Sequence, residues 1–320
     1  MAHDHDHSHA HTGNKRVLLV SFIIITAFML VEAVGGYLTN SLALLSDAGH
    51  MLSDAVSLGI ALLAFILGEK SPNQSKTYGY KRFEILAAVL NGVTLILIAL
   101  YIFYEAVERF ANPPAVATSG MLAISITGLL VNLFVAWLMV RGGGTEENLN
   151  MRGAFLHVLS DMLGSVGAIT AALLIMFFGW GWADPLASVI VAVLVLRSGY
   201  YVTKSSLHVL MEGTPTNVEV QNVIQTIEGK KGIQGLHDLH VWSITSGFNA
   251  MSCHAVVDGN LTIAESEKLL QDIEHDLSHI GIQHVTIQLE TPGHLHEDSL
   301  LCKGKGEEGH GHHHHHHHHH

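Results

Sequence analysis

Six stretches of the chain are apolar over the length a helix needs to cross a bilayer, about 20 residues each. They read as Val17–Gly36, Ser41–Leu67, Phe83–Phe103, Met121–Val140, Ala154–Phe178 and Pro185–Tyr201. The first is too long to read as a cleaved signal peptide and lacks a small-residue cleavage site before the next span. After Ser205 the pattern changes to short periodic segments separated by polar turns. Thr216-Asn-Val-Glu219 predicts a capping box opening a helix to about Glu228. Leu236–Ile244 and Ala250–Val257 predict two strands joined by Thr245-Ser-Gly-Phe. Thr262-Ile-Ala-Glu265 predicts a second box and a helix to about His279. His284–Glu290 alternates, with Val285, Ile287 and Leu289 on one face and His284, Gln288 and Glu290 on the outward one. The expected fold is an α-helical membrane protein with six transmembrane helices, followed by a small α+β domain of order α-β-β-α-β. The expected divisions are a disordered arm at 1–14, a transmembrane domain at 15–204, the α+β domain at 205–292 and a disordered tail at 293–320.

Composition sharpens this. Only 14% of the 320 residues are charged and 48% are hydrophobic, with mean hydropathy +0.34. That argues against an ordinary soluble enzyme, and a formal net charge of -12 argues against a nucleic-acid partner. Cys253 and Cys302 are too few for a disulfide framework. Positive charge follows one set of loops: Lys15 and Arg16, then Lys70, Lys76, Lys81 and Arg82, then Arg141 and Arg152, then Lys204. The opposite loops carry only Arg109, so both termini are expected in the cytoplasm.

Histidine is the anomaly, with 26 in all. His312–His320 resembles a purification tag in whole or part and is set aside. His3, His5, His7, His9 and His11 alternate with Asp and small residues, as in a flexible metal-binding arm. Two more sit inside spans that should exclude them. Ser46-Asp-Ala-Gly-His-Met-Leu-Ser-Asp54 and His157-Val-Leu-Ser-Asp161 each contain His-x-x-x-Asp, which sets both side chains on one helical face, one turn apart. Each ionisable group in a bilayer core costs about 2.5–3.5 kcal/mol, so four amount to roughly 10 kcal/mol and require compensation. If the two helices face each other, His50, Asp54, His157 and Asp161 supply two nitrogens and two oxygens, a set suited to a zinc-like ion. Interhelical hydrogen bonds or separate ion pairs are the plainer alternative. Asp47 shares the face of His50, as a supporting group or a packing contact. Glu32, near the outer end of the first span, reads more simply as a bond to a neighbouring helix than as a cation-steering group.

The chain resembles bacterial members of the cation diffusion facilitator family from about Lys15 to Glu290. The resemblance rests on Leu42-Ala-Leu-Leu-Ser-Asp-Ala-Gly-His-Met-Leu-Ser-Asp54, Tyr78-Gly-Tyr-Lys-Arg-Phe-Glu84, His157-Val-Leu-Ser-Asp161, Asp184-Pro185, Met211-Glu-Gly-Thr-Pro215 and His237-Asp-Leu-His-Val-Trp242. It implies six helices, a cytoplasmic domain of metallochaperone (ferredoxin-like) type, a homodimer in the bacterial inner membrane, and exchange of cytoplasmic zinc for protons. His50, Asp54, His157 and Asp161 match the family's transport site, and His at the first position resembles its zinc-preferring members. Metal-binding relatives use the positions of His237, His254, His284 and Glu290, which makes these the candidate cytoplasmic ligands. His240, His275 and His279 are read as surface or structural. Arg82 and Glu212 match a charge pair that locks the dimer in a relative; a surface ion pair of little energetic value is the alternative. The loop between the second and third spans has no His, so the extra site some relatives carry there is not expected.

A neutral imidazole is needed to bind zinc, and its unperturbed pKa of about 6.5 lies near physiological pH. Protons and metal therefore compete for the lone pairs of His50 and His157, and a site opening alternately to each side exchanges one for the other. An intramembrane metalloprotease also pairs histidines, but it needs a Glu directly after the first; here Met51 and Val158 stand in those places. A membrane-anchored sensor or storage protein leaves the intramembrane His and Asp unexplained. The ion itself, among Zn, Cd, Co and Ni, is not fixed by this donor set.

Overall fold

Continuous helix runs through every one of the apolar stretches, because a backbone in hydrocarbon must satisfy its polar groups internally. The computed structural model describes residues 7–68, 72–141, 149–293 and 300. It divides into two compact units, Met1–Leu210 and Met211–His320. The first holds α1 (His7–Thr39), α2 (Leu42–Gly68), α3 (Phe83–Ala111), α4 (Thr118–Arg141), α5 (Leu149–Phe178) and α6 (Ala183–Leu210). Among the described residues, Phe22–Thr39, Phe83–Ala111 and Ala183–Leu210 are by themselves long and apolar enough to cross a membrane.

Helix ends differ from expectation where polar residues prolong a span. Helix α1 starts at His7, inside the arm expected to lack structure, since extending an existing helix adds one hydrogen bond per residue fixed. Residues 1–6 lie outside the described residues. Helix α3 continues to Ala111, where Arg109 pairs with Glu105 at 2.9 Å and donates to the Asn40 carbonyl at 2.6 Å. One face of α3 carries exposed Leu86, Leu90, Leu97, Tyr101, Tyr104 and Val107. The opposite face buries Leu95, Ala99, Ile102 and Ala106. Such a side in contact with lipid and a side in contact with protein is what a bundle of spans requires. Helix α3 packs most extensively on α6, and α2 touches α1, α3, α5 and α6. At the α3–α6 crossing a Cβ on Gly199 would stand 2.9 Å from the Gly92 carbonyl. Only glycine permits that approach.

The second unit has the expected order: α7 (Val220–Glu228), β1 (Ile233–Thr245), β2 (Phe248–Val257), α8 (Ile263–His279) and β3 (His284–Glu290). The sheet order is β1-β2-β3, with β1 antiparallel and β3 parallel to β2. The β2–β3 crossover is α8. Gly247, at φ 71°, makes the hairpin turn. Val223, Ile227, Val241, Met251, Cys253, Ile273 and Leu277 form the core between helices and sheet. The Thr262–Glu265 capping box is present. The one expected at Thr216–Glu219 is not. The Val218 N–H instead donates to the Pro215 carbonyl, and that turn delays the helix to Val220, with Glu219 as its cap residue. The tail is not structureless where it is described: the Leu239 N–H donates to the Leu300 carbonyl at 2.9 Å.

Candidate metal centres

The membrane unit presents α2 through a fixed N-terminal end. Asp184, on the first turn of α6, is 1% exposed. Its carboxylate accepts from Ser41 Oγ at 2.6 Å and from the Leu42 and Ala43 N–H groups at 2.7 and 3.2 Å. These are the unpaired amides of a helix start, where a carboxylate is favoured by both hydrogen bonding and the helix dipole. Pro185 follows in the first turn of α6, where its missing N–H costs nothing. Asp184 is a structural determinant of α2 that sequence reasoning noted as a motif without assigning a role. Only its neighbour Pro185 signals a helix start.

Two turns further along, Asp47 is buried and His50 half-buried. The Asp47 carboxylate occupies the space where a side chain on Gly164 of α5 would begin. This is where α2 meets α5. Asp54 lies on α2, and His157 and Asp161 lie on α5; their side chains are outside the described residues. Beside them, Asn91 of α3 donates to Ser53 Oγ at 3.2 Å, joining α3 to the same stretch of α2. Glu32 is fully buried beside Phe28 and Gly128 of α4, within the packed interior.

In the second unit, His237 and His254 are cross-strand partners on β1 and β2. Their rings meet edge to face, with centroids 5.2 Å apart. Glu290, at the end of β3, reaches both: its carboxylate lies 3.3 Å from His237 Nε2 and 2.9 Å from His254 Nδ1. Gln288 Nε2 donates to the same carboxylate at 2.7 Å. Glu290 shares the strand face of His284 and Gln288, as expected, but it is buried rather than outward-facing, because the two imidazoles cover it. The three ligand atoms lie within 4.8 Å of one another. Two imidazoles and one carboxylate match the donor set of a three-residue zinc site with one position open.

His284 does not belong to this cluster. It pairs with Ala250 at the far end of β3, six residues from Glu290, or about 20 Å along the strand. Asp238 was not foreseen. A register break between His237 and His240 places it at φ 51°, with its carboxylate 3.2 Å from His240 Nε2 and 3.8 Å from His254 Nε2. A bulge re-aims a side chain that strand alternation assigns elsewhere. Cys253, next to His254, points into the core, where burial pushes its thiol up to about 12; it is no thiolate ligand at neutral pH. Arg82, at the start of α3, and Glu212, at φ 58°, belong to different units.

Residues 18–211 match the family profile described as the cation efflux transmembrane domain, and residues 215–292 that of the cation efflux protein cytoplasmic domain. The chain is 70% identical over 295 residues to the "Cadmium, cobalt and zinc/H(+)-K(+) antiporter" of Bacillus subtilis (strain 168), covering 92% of this chain and 95% of that one. It is 43% identical to the "Zinc transporter ZitB" of Pectobacterium atrosepticum, covering 87% and 86% respectively. Among solved structures, the metal-bound C-terminal domain of the CzcD transporter from Cupriavidus metallidurans is 32% identical. It covers 23% of this chain and 99% of that one, with a TM-score of 0.21.

Proposed function

Since this chain belongs to the cation efflux family, whose members are multi-pass membrane transporters rather than enzymes, we propose that it exports zinc from the cytoplasm in exchange for protons. Cadmium and cobalt are further substrates on this reading, and potassium a further counter-ion, in line with the name of the 70% identical relative. Imidazole ligands account for the protons but not for the potassium. Transport proceeds by alternating access at His50, Asp54, His157 and Asp161, in a cell-membrane protein with both termini inside.

The observation that carries the reading is the meeting of Asp47 with Gly164. Successive spans alternate in direction, so α2 and α5 run antiparallel. From that contact, three residues forward on α2 is His50 and three back on α5 is Asp161. Seven residues give Asp54 and His157. At 1.5 Å per residue these steps are about 4.5 and 10.5 Å on both helices, so each His stands level with the other helix's Asp. The two levels are about 6 Å apart along the helix axes, so all four side chains stand within reach of one ion. Two carboxylates offset the charge of a divalent ion in low dielectric, and two imidazoles give protons a place to displace it.

The His237–His254–Glu290 cluster is proposed as a second, resident zinc site. It strengthens association of two copies of the second unit, whose matched family is the one that dimerises.

Metal uptake into inverted vesicles under an imposed pH gradient, with Zn, Cd, Co and Ni in parallel and potassium present or absent, tests the function. Zinc accumulation that collapses with the gradient is expected. Accumulation indifferent to both protons and potassium overturns the exchange.

A further inference from the structure

His275 and His279 stand one turn apart on the exposed side of α8, in its last two turns. Their Nε2 atoms are 3.3 Å apart, and the rings meet at 90° with centroids 4.7 Å apart. With metal–nitrogen bonds of about 2.0–2.1 Å and tetrahedral angles, two nitrogens on one ion stand about 3.3 Å apart. The pair is thus already spaced as a chelate. A hydrogen bond between two exposed imidazoles is worth little in water, whereas two nitrogens held at this spacing by one helix lose little freedom on binding an ion.

The surroundings favour a cation. The carbonyl end of a helix carries partial negative charge. Asp276 stands between the two histidines in sequence. Its carboxyl is held below the usual range first by the Lys230 hydrogen bond, then by the Lys230 charge and both imidazoles, which places an anion within electrostatic reach of the pair. Lys230 Nζ, 2.6 Å from Asp276, offsets part of that charge, so the two imidazoles must carry the binding. The pair lies on the opposite side of the sheet from the other cluster. Met251 and Cys253 point into the core with Ile273 and Leu277 of α8, so His254 points away from that helix.

We propose that His275 and His279 form a bidentate surface site for a borderline divalent ion such as Zn, Ni or Cu(II), with water completing the coordination. Nothing in the transport reading requires this site. With two protein ligands in place of three, it fills at higher metal concentration than the His237–His254–Glu290 cluster.

The test is histidine-resolved labelling of the full chain with diethyl pyrocarbonate, read by mass spectrometry across a series of buffered free zinc concentrations. Buffering prevents depletion by the terminal run His312–His320. Zinc should protect His275 and His279 together. In His279→Gln, protection of His275 should require at least about tenfold more zinc, because the intramolecular advantage of the second imidazole is gone. Both substitutable side chains are exposed, so the fold is not at risk. The double variant His237→Ala, His254→Ala should keep the protection. Three outcomes overturn the proposal: no protection of His275 in the wild type, unchanged protection in His279→Gln, or protection lost in the double variant. None of them bears on whether the protein transports metal.

Discussion

A carboxylate buried in a membrane protein persists only where something holds it, and Asp47, Asp184 and Glu290 are held in different ways. Asp184 is held by the amides of α2. Asp184→Ala leaves the Leu42 and Ala43 N–H groups and the Ser41 hydroxyl without their acceptor, at a cost of about 1–3 kcal/mol for each buried group left unpaired. We expect lower thermal stability in detergent, partly recovered by Asp184→Asn, whose carbonyl still accepts one bond; equal midpoints for Ala and wild type would contradict the capping role. At the transport positions the expectation reverses. Asp54→Ala and Asp161→Ala each remove a ligand and half of the compensating charge, so zinc flux should vanish while the folded yield stays at the wild-type level. Flux near normal in either variant sinks the four-ligand site. Cys253 offers a simpler check. Burial holds its thiol protonated up to about 12, so maleimide at pH 8 should label it only after unfolding. Sensitivity to alkali has a sign as well. The unfolded thiol ionises from its ordinary value near 9.0 while the folded one does not, so its contribution to stability falls as pH rises between those values.

Helices were the most legible part of the chain, because an apolar run of 20 residues has few alternatives in lipid. Their ends were not legible: Arg109 and Glu105 prolong α3 by an ion pair that hydropathy reads as loop. The strands and the α8 cap were equally readable, since Thr262 and Glu265 satisfy one another locally. Residues 215–219 misled because the competing Pro215–Val218 turn has no distinguishing pattern. The same division runs through the sites. His237 and His254 were legible only through the family resemblance, since strict alternation would set His237 on the face of Leu239 and Val241; Glu290 closing over them, and the bulge that turns Asp238, depend on how three strands come together. Gly164 illustrates what sequence conceals. Its role exists only in the meeting of α2 and α5, and that meeting makes it testable. Gly164→Ala introduces a Cβ into the Asp47 carboxylate and must displace that carboxylate from the α2–α5 contact. We expect reduced zinc flux with a bilayer-inserted, folded protein. Unchanged flux would show that the Asp47–Gly164 contact is not what positions the ligands.

At the scale of the whole molecule, the metal is on the proposed reading substrate in one unit and ligand in the other, so the second unit can be followed without transport. It has its own core, from Val223 on α7 to Leu277 on α8, and residues 211–292 should fold alone. A ligand that binds only the folded form raises stability by RT ln(1 + [L]/Kd), about 2.7 kcal/mol at a hundred times Kd. Zinc should therefore raise the melting temperature of this fragment, and the rise should shrink as the pH falls, because protons compete for the imidazole lone pairs. The open fourth position of the His237–His254–Glu290 set can be filled by water or by a group from a second copy. Only the second case links zinc to association. Sedimentation with and without zinc separates them: a shift towards dimer, abolished by His237→Ala with His254→Ala, is the expected result. A fragment that zinc stabilises but leaves at the same mass would place water in the fourth position and remove metal from the assembly of the dimer.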